Sequence, residues 1–207
     1  MGTRGFVGFK QKGIIKGWYN HFDSYPSGLG EEVVEKFCEY SKETLINFLT
    51  KKLTLTKEED DYSNHKGVMK LDWGKDEKNL KDGSDFIKDG LFCEYSYVFD
   101  LDSKRKKLLL FKGFGKKPSK GYEDYYYESS PNCCMGNEKH YTTYKGSISD
   151  DNLTKAIVKM YILYNEDESK ILKKIKKTTK DELPLLLPDT DGSGIAKKYL
   201  ELRLKEA

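Results

Sequence analysis

The spacing of apolar and polar positions changes several times along the chain, and each change marks an element. Arg4, Phe6 and Gly8 alternate with Val7 and Phe9, and after Lys12-Gly13 a second run carries Ile14, Ile15, Trp18 and Tyr19. Two such runs across a short Gly-containing turn predict a β-hairpin, residues 3–10 and 13–20. The strand pattern stops in Asn20-His21-Phe22-Asp23-Ser24-Tyr25-Pro26-Ser27-Gly28, because Pro26 lacks a backbone donor and Gly28 and Gly30 loosen the chain. From Leu29 the period becomes helical. Val33, Val34, Phe37, Cys38, Ser41, Leu45, Phe48 and Leu49 recur at helical spacing, with Glu31 and Glu32 at the start and Lys51-Lys52 at the end, as the helix dipole favours. The pattern predicts a long helix over about 29–52.

Residues 54–90 are polar and broken by Gly67, Gly74, Gly83 and Gly90, with isolated apolar groups at Met69, Leu71, Trp73 and Phe86. They read as an irregular insertion, of a length uncommon unless functional or mobile. Phe92 to Leu101 is aromatic and β-branched, and Leu108 to Phe111 follows Asp102-Ser103-Lys104-Arg105, so a second hairpin pairs 91–101 with 107–113. Tyr122 to Tyr127 and Tyr141 to Tyr144 suggest further strands around a Ser129-Ser130-Pro131-Asn132 loop. From about 150 the chain is helical. Leu153, Ile157, Met160, Tyr161 and Tyr164 form one stripe behind Asp150 or Asp151, a basic helix covers about 166–180, and a last helix covers 195–206. The expectation is a single α+β domain over 1–207. Its mixed or antiparallel sheet is built from hairpins and packs against the 29–52 helix and the C-terminal helices.

Composition narrows the class. Charged residues make up 34% and apolar ones 37%, yet an aromatic content of 13% argues for a packed core rather than disorder. A net charge of +3 lacks the strong basic excess of a typical nucleic-acid-binding domain. No apolar run approaches the ~20 residues of a membrane span, and the N-terminus has no signal-peptide pattern. Met1-Gly2 lacks the Ser or Thr at position 6 that myristoylation requires, since Phe6 stands there. Cys38, Cys93, Cys133 and Cys134 include no Cys-x-x-Cys pair. The reading is a soluble cytoplasmic protein with reduced thiols, needing no cofactor and no metal.

Candidate chemistry concentrates in residues 3–30. Arg4, His21, Asp23, Ser24, Tyr25 and Ser27 can gather at the hairpin end, beside Gly28, Gly30 and a helix N-terminus whose N–H groups suit a polar or anionic ligand. The bland alternative has Asp23 and Ser27 capping the helix while Arg4 pairs with Asp23. The opening Met-Gly-Thr-Arg and His21-x-Asp23-x-Tyr25-Pro26-Ser27-Gly28-x-Gly30 resemble an uncharacterised family of small microbial, fungal and phage proteins. Those proteins begin alike and carry a Gln/His-x-Asp-Gly-Tyr-Pro-x-Gly loop; Ser24 stands here at the commoner Gly. Gly90 to Asp102 is similar to that family's aromatic strand ending in Asp-Leu-Asp. The resemblance implies no particular activity. A more limited likeness is to the first hairpin of N-terminal-nucleophile hydrolases, with Thr3, Gly13, Asn20, Asp23 and Ser24 in matching order. It implies Thr3 as nucleophile with Asn20 and Asp23 as orienting groups. Such a nucleophile needs its own free α-amine, so Gly2 would have to be removed.

Other motifs read more plainly. Cys133-Cys134 with His140 makes a poor zinc signal without a paired knuckle. Cys93-Glu94 near His21 could supply a nucleophile and an acid, but the strand position of Cys93 suits a core thiol. Asp189-Thr190-Asp191-Gly192-Ser193-Gly194 opens like a calcium loop, yet Leu200 occupies the position of the bidentate Glu, and Glu201 comes one residue late. Tyr122, Tyr125, Tyr126 and Tyr127 are interleaved with Glu123, Asp124 and Glu128, the wrong sign for a base-stacking strand. Lys170, Lys173, Lys174 and Lys177 crowd a helix that also holds Ile171, Leu172 and Ile175, a pattern able to meet a nucleic acid or an acidic protein. The leading expectation is a small-molecule or nucleotide-like ligand at the hairpin-loop-helix junction. Its alternatives are an amide hydrolase using Thr3 and an interaction module using the lysine-rich helix.

Overall fold

The computed structural model describes residues 2–58, 67–88, 92–112, 139–141, 150–164, 168–186, 190 and 194–206. The anticipated Tyr122–Tyr127 strand, the Cys133-Cys134 pair and the Asp189-Asp191-Gly192-Ser193 loop positions lie outside these residues. The chain divides into two compact units, Met1–Tyr144 and Lys145–Ala207.

The first unit is built on a five-stranded mixed sheet. β1 (Gly5–Gln11) and β2 (Ile14–Asn20) form the expected antiparallel hairpin, with Phe6 opposite Tyr19 and Gly8 opposite Gly17. Lys12 and Gly13 both take positive φ, 51° and 76°, as a two-residue hairpin turn with the right twist demands. β3 (Leu53–Thr56) and β4 (Lys78–Lys81) make a separate two-stranded parallel sheet. β5 (Tyr95–Asp100) and β6 (Leu108–Lys112) form the second hairpin, and β7 (Lys139–Tyr141) follows β6. The sheet order is β2-β1-β5-β6-β7. β1 and β5 are parallel, so the second hairpin docks beside the first through a long crossover.

Register sorts the core into two faces. Val7, Phe9, Tyr97, Phe99, Leu108 and Leu110 share one, where Phe37 and Trp73 pack on Phe99. Phe6, Val98, Leu109 and Phe111 share the other, closed by Ile87, Cys93, Ile15 and Phe86. All six residues of β5 are buried, the mark of a strand covered on both sides.

Helical structure over 26–52 is interrupted rather than continuous. A π-turn at Pro26–Gly30 leads into α1 (Glu31–Glu39); Tyr40 is extended, and Ser41 caps α2 (Lys42–Asn47) through its hydroxyl at 3.1 Å from the Thr44 N–H. A second π-turn covers Phe48–Lys52. The apolar spacing spans the break because both segments bury the same side: Val33, Val34 and Phe37, then Leu45, Phe48 and Leu49. The insertion after residue 54 also differs from an irregular loop. Besides β3 and β4 it holds 3-10 turns at Val68–Lys70 and Phe86–Lys88, and it buries Val68, Met69, Trp73, Leu80 and Ile87. Its apolar groups serve different parts of the core: Trp73 stacks on Phe48 at 4.6 Å between ring centroids and donates to the Val68 carbonyl at 2.9 Å, whereas Ile87 joins the cluster of Phe6, Val98, Leu109 and Phe111.

The second unit is helical. α3 (Asp150–Tyr164), α4 (Ser169–Lys177) and α5 (Gly194–Lys205) pack on one another, with a 3-10 segment Lys180–Leu186 that accommodates Pro184. α4 is shorter than the 166–180 span expected. No helix among the described residues is long and apolar enough to cross a membrane.

Candidate functional site

The end of the sheet where β1 begins, β2 ends and β5 begins is fixed by register: Gly5 lies beside Asn20 on one side and Tyr95 on the other. The chain before Gly5 therefore runs between residues 21–25 and residues 92–94. Thr3 accepts the Ser24 N–H at its carbonyl, 3.1 Å, and the Arg4 carbonyl accepts the Glu94 N–H at 3.0 Å.

The residues singled out from the sequence separate into three environments at this end. Asn20 and Ser24 are buried and joined: the Asn20 amide donates to the Ser24 hydroxyl at 2.7 Å and to the Phe22 carbonyl. Tyr97 completes the brace by donating its hydroxyl to the Ser24 carbonyl at 2.8 Å. Gly5 makes room, because a Cβ there would stand 2.6 Å from Ser24 Cβ and from the Tyr95 carbonyl.

Asp23, Tyr25 and Ser27 are exposed beyond this brace. Asp23 has φ 55°, a left-handed conformation that Asp tolerates better than most residues. Its carbonyl accepts the Leu29 N–H at 2.8 Å, while its carboxylate accepts the Tyr25 hydroxyl at 3.2 Å. That hydrogen bond and the nearby negative charge hold the Tyr25 phenol above its ordinary pKa, so it stays a donor. The Tyr25 carbonyl accepts the N–H groups of Gly28 and Gly30, 3.0 and 3.3 Å. A Cβ on Gly28 would strike the Asp23 carbonyl at 2.3 Å.

Arg4 and His21 form the third environment, an aromatic one. Arg4 lays its guanidinium 5.0 Å from the centre of the Phe92 ring, a cation–π placement. Its backbone N–H reaches Glu94 at 3.3 Å. The His21 ring lies edge-on to Phe22 at 4.1 Å, and its Nδ1 is hydrogen-bonded to the Tyr19 hydroxyl. Tyr19 in turn meets Phe86 edge-on at 4.5 Å. Of the five large apolar side chains exposed among the described residues, three belong here: Phe22 at 46%, Tyr25 at 36% and Phe92 at 37%.

Phe22, Phe92 and Tyr97 are not singled out by the sequence, which marks Glu94 only as an acid beside Cys93. Alternation in β5 could have marked Tyr97 as inward-facing, but only the parallel β1–β5 pairing brings Phe92 and Glu94 to Arg4. Cys93 is buried with its thiol 3.1 Å from the Ser96 hydroxyl, and Cys38 has its thiol pushed up to about 11 by burial, partly offset by the Lys106 ammonium. Among the described residues, no three His, Cys, Asp or Glu side chains group to hold a metal ion.

Fold and site together define an α+β protein whose mixed sheet ends in a braced polar loop bordered by exposed aromatic rings. No family model matches the chain, and neither does any curated protein or solved structure.

Proposed function

We propose that the protein binds a small, anionic, nucleotide-like ligand at this sheet end. The observation that carries the reading is the pairing of exposed rings with polar groups around residues 2–4. Phe92 bears the Arg4 guanidinium, Phe22 lies against His21, and Tyr25 is hydrogen-bonded to Asp23. A planar ring can stack on exposed aromatics, and an anionic substituent can pair with Arg4. The buried Asn20–Ser24–Tyr97 brace would hold the loop in place, which lowers the ordering cost of binding. The bound form would then raise thermal stability with the logarithm of ligand concentration above Kd. A thermal-shift screen of nucleotides and related metabolites tests this. Stabilisation is expected in the wild type and is lost in Arg4→Ala and Phe92→Ala, while a screen with no stabilising ligand would sink the reading. Asp23→Gly separates the carboxylate from the backbone, since glycine keeps the left-handed turn.

The uncharacterised-family kinship belongs to the same proposal. It is supported by Asp102, at the end of the Asp-Leu-Asp segment, whose carboxylate accepts the N–H groups of Lys12 and Gly13, 2.6 and 2.8 Å. The two matching stretches themselves touch at the Arg4 carbonyl, which accepts the Glu94 N–H at 3.0 Å, and at the Ser24 carbonyl, which accepts the Tyr97 hydroxyl at 2.8 Å. The amide-hydrolase reading rests on Thr3 standing beside Ser24 at the hairpin end. Working against it, the Asn20 amide is already committed to Ser24 and Phe22. Intact mass decides: a chain beginning at Thr3 would favour it, and one beginning at Gly2 would remove it. The thiols of Cys38 and Cys93, neither in a disulfide, are in keeping with a reducing, cytoplasmic setting.

A further inference from the structure

We infer, building on the nucleotide-like ligand proposed for this sheet end, that Glu94 accepts the sugar hydroxyls of that ligand, which makes it a ribonucleoside 5′-phosphate. Two opposite charges lie here side by side without pairing. Glu94 stands just before β5, one residue ahead of the Gly5–Tyr95 register pair, and its N–H donates to the Arg4 carbonyl at 3.0 Å. Its carboxylate turns back to accept the Arg4 backbone N–H at 3.3 Å. A guanidinium beside a carboxylate commonly folds onto it as a two-pronged ion pair. Arg4 instead carries its guanidinium over the Phe92 ring, 5.0 Å from the centre. Among the described residues, no ion pair joins Arg4 to an acid.

Both side chains therefore keep hydrogen-bonding capacity for a ligand. The guanidinium offers a fork of N–H donors, and an ionised carboxylate can accept up to about four hydrogen bonds, of which the Arg4 backbone N–H fills one. Arg4 and Glu94 are half-buried, so a bond to either meets less competition from water than one at an open surface.

The layout of these groups selects the ligand. The carboxylate stands at the backbone end of Arg4 and the guanidinium at the far end of the same residue. A ligand that meets both carries negative charge at one end and hydrogen-bond donors a few bonds away. Glu94 only accepts and repels anions, so neither a phosphate nor a second acid can take its end. In a nucleotide the group bonded to the phosphate is the sugar, whose 2′ and 3′ hydroxyls are donors shared by every base. The exposed rings of Phe22 and Phe92 remain for the base. Inorganic phosphate would use Arg4 alone and leave Glu94 as a repulsive neighbour.

Isothermal titration calorimetry on the full chain tests this, with adenosine, guanosine, cytidine and uridine 5′-monophosphates, the 2′,3′-dideoxy counterpart of each, and inorganic phosphate. At least one ribonucleotide should bind about tenfold more tightly than its dideoxy counterpart, because hydrogen bonds to a charged acceptor are lost with the hydroxyls. It should exceed inorganic phosphate by at least as much. Glu94→Gln keeps a side-chain oxygen for the Arg4 N–H and should bring the ribose and dideoxy forms to within about twofold of each other. Arg4→Ala should instead weaken both forms alike and leave their ratio standing. Equal affinity for ribose and dideoxy forms in the wild type overturns the inference, as does a preference for ribose that survives Glu94→Gln. In both cases nucleotides still bind, so the ligand reading of the sheet end stands. If no nucleotide binds the wild type, that reading falls and the role of Glu94 falls with it.

Discussion

Gly5 shows how one residue decides the geometry of the loop end. Its register partners, Asn20 and Tyr95, bring β2 and β5 to either side of it, and Ser24 folds across the space that a side chain would fill. Gly5→Ala should therefore destabilise the protein by about 1–3 kcal/mol through overpacking, read as a lower urea midpoint. A midpoint equal to wild type would mean that the loop can retreat from β1 at no cost. Its place in a polar loop groups Ser24, by sequence, with the ligand-facing residues. Its burial and its bonds to Asn20 and Tyr97 make it part of the brace instead. Sequence cannot make that distinction, since a serine in a His-Phe-Asp-Ser-Tyr stretch has the same chemistry whether it faces water or a buried amide.

Elements in this protein are joined by short polar clasps as much as by periodic apolar faces. The turn between β5 and β6 is the clearest case. Asp102 holds the β1–β2 turn, Lys42 donates to the Ser103 carbonyl, and Lys106 donates to the Tyr40 carbonyl at the α1–α2 break. Apolar periodicity over 29–52 foretold a helix and its buried side but not its interruption, which rests on the extended Tyr40 and the Ser41 cap. Ser41→Ala should cost about 1 kcal/mol by leaving the Thr44 N–H without its capping oxygen. Urea unfolding would register this as a lowered midpoint with unchanged cooperativity. No loss of stability would indicate that the clasps, and not the cap, hold α2 in place.

For the whole molecule, pH reports how charge is coupled to folding. Hydrogen bonds from the Gly13 and Lys12 N–H groups hold the Asp102 carboxyl below its ordinary range. A depressed carboxyl contributes stability that is fully present above the unfolded value of about 4 and is lost as pH falls through the folded value. Cys38 acts at the other end: a thiol raised to about 11 contributes stability that is fully present below its unfolded value and is lost as pH rises towards 11. The urea midpoint should thus hold level around neutrality and fall on both sides, and Asp102→Asn should flatten the acid limb. An acid limb identical in that variant would rule out the Asp102 clasp as its source. By itself, the sequence determined the local elements: the hairpin around Lys12-Gly13, the apolar sides of the helices, and the α+β class. Each depends on periodicity and turn chemistry within a short span. Only the tertiary structure decided that β1 and β5 run parallel, that Trp73 stacks on Phe48, and that Phe92 and Glu94 meet Arg4. Those contacts join residues far apart in the chain, and no local pattern encodes which distant strand will supply the partner.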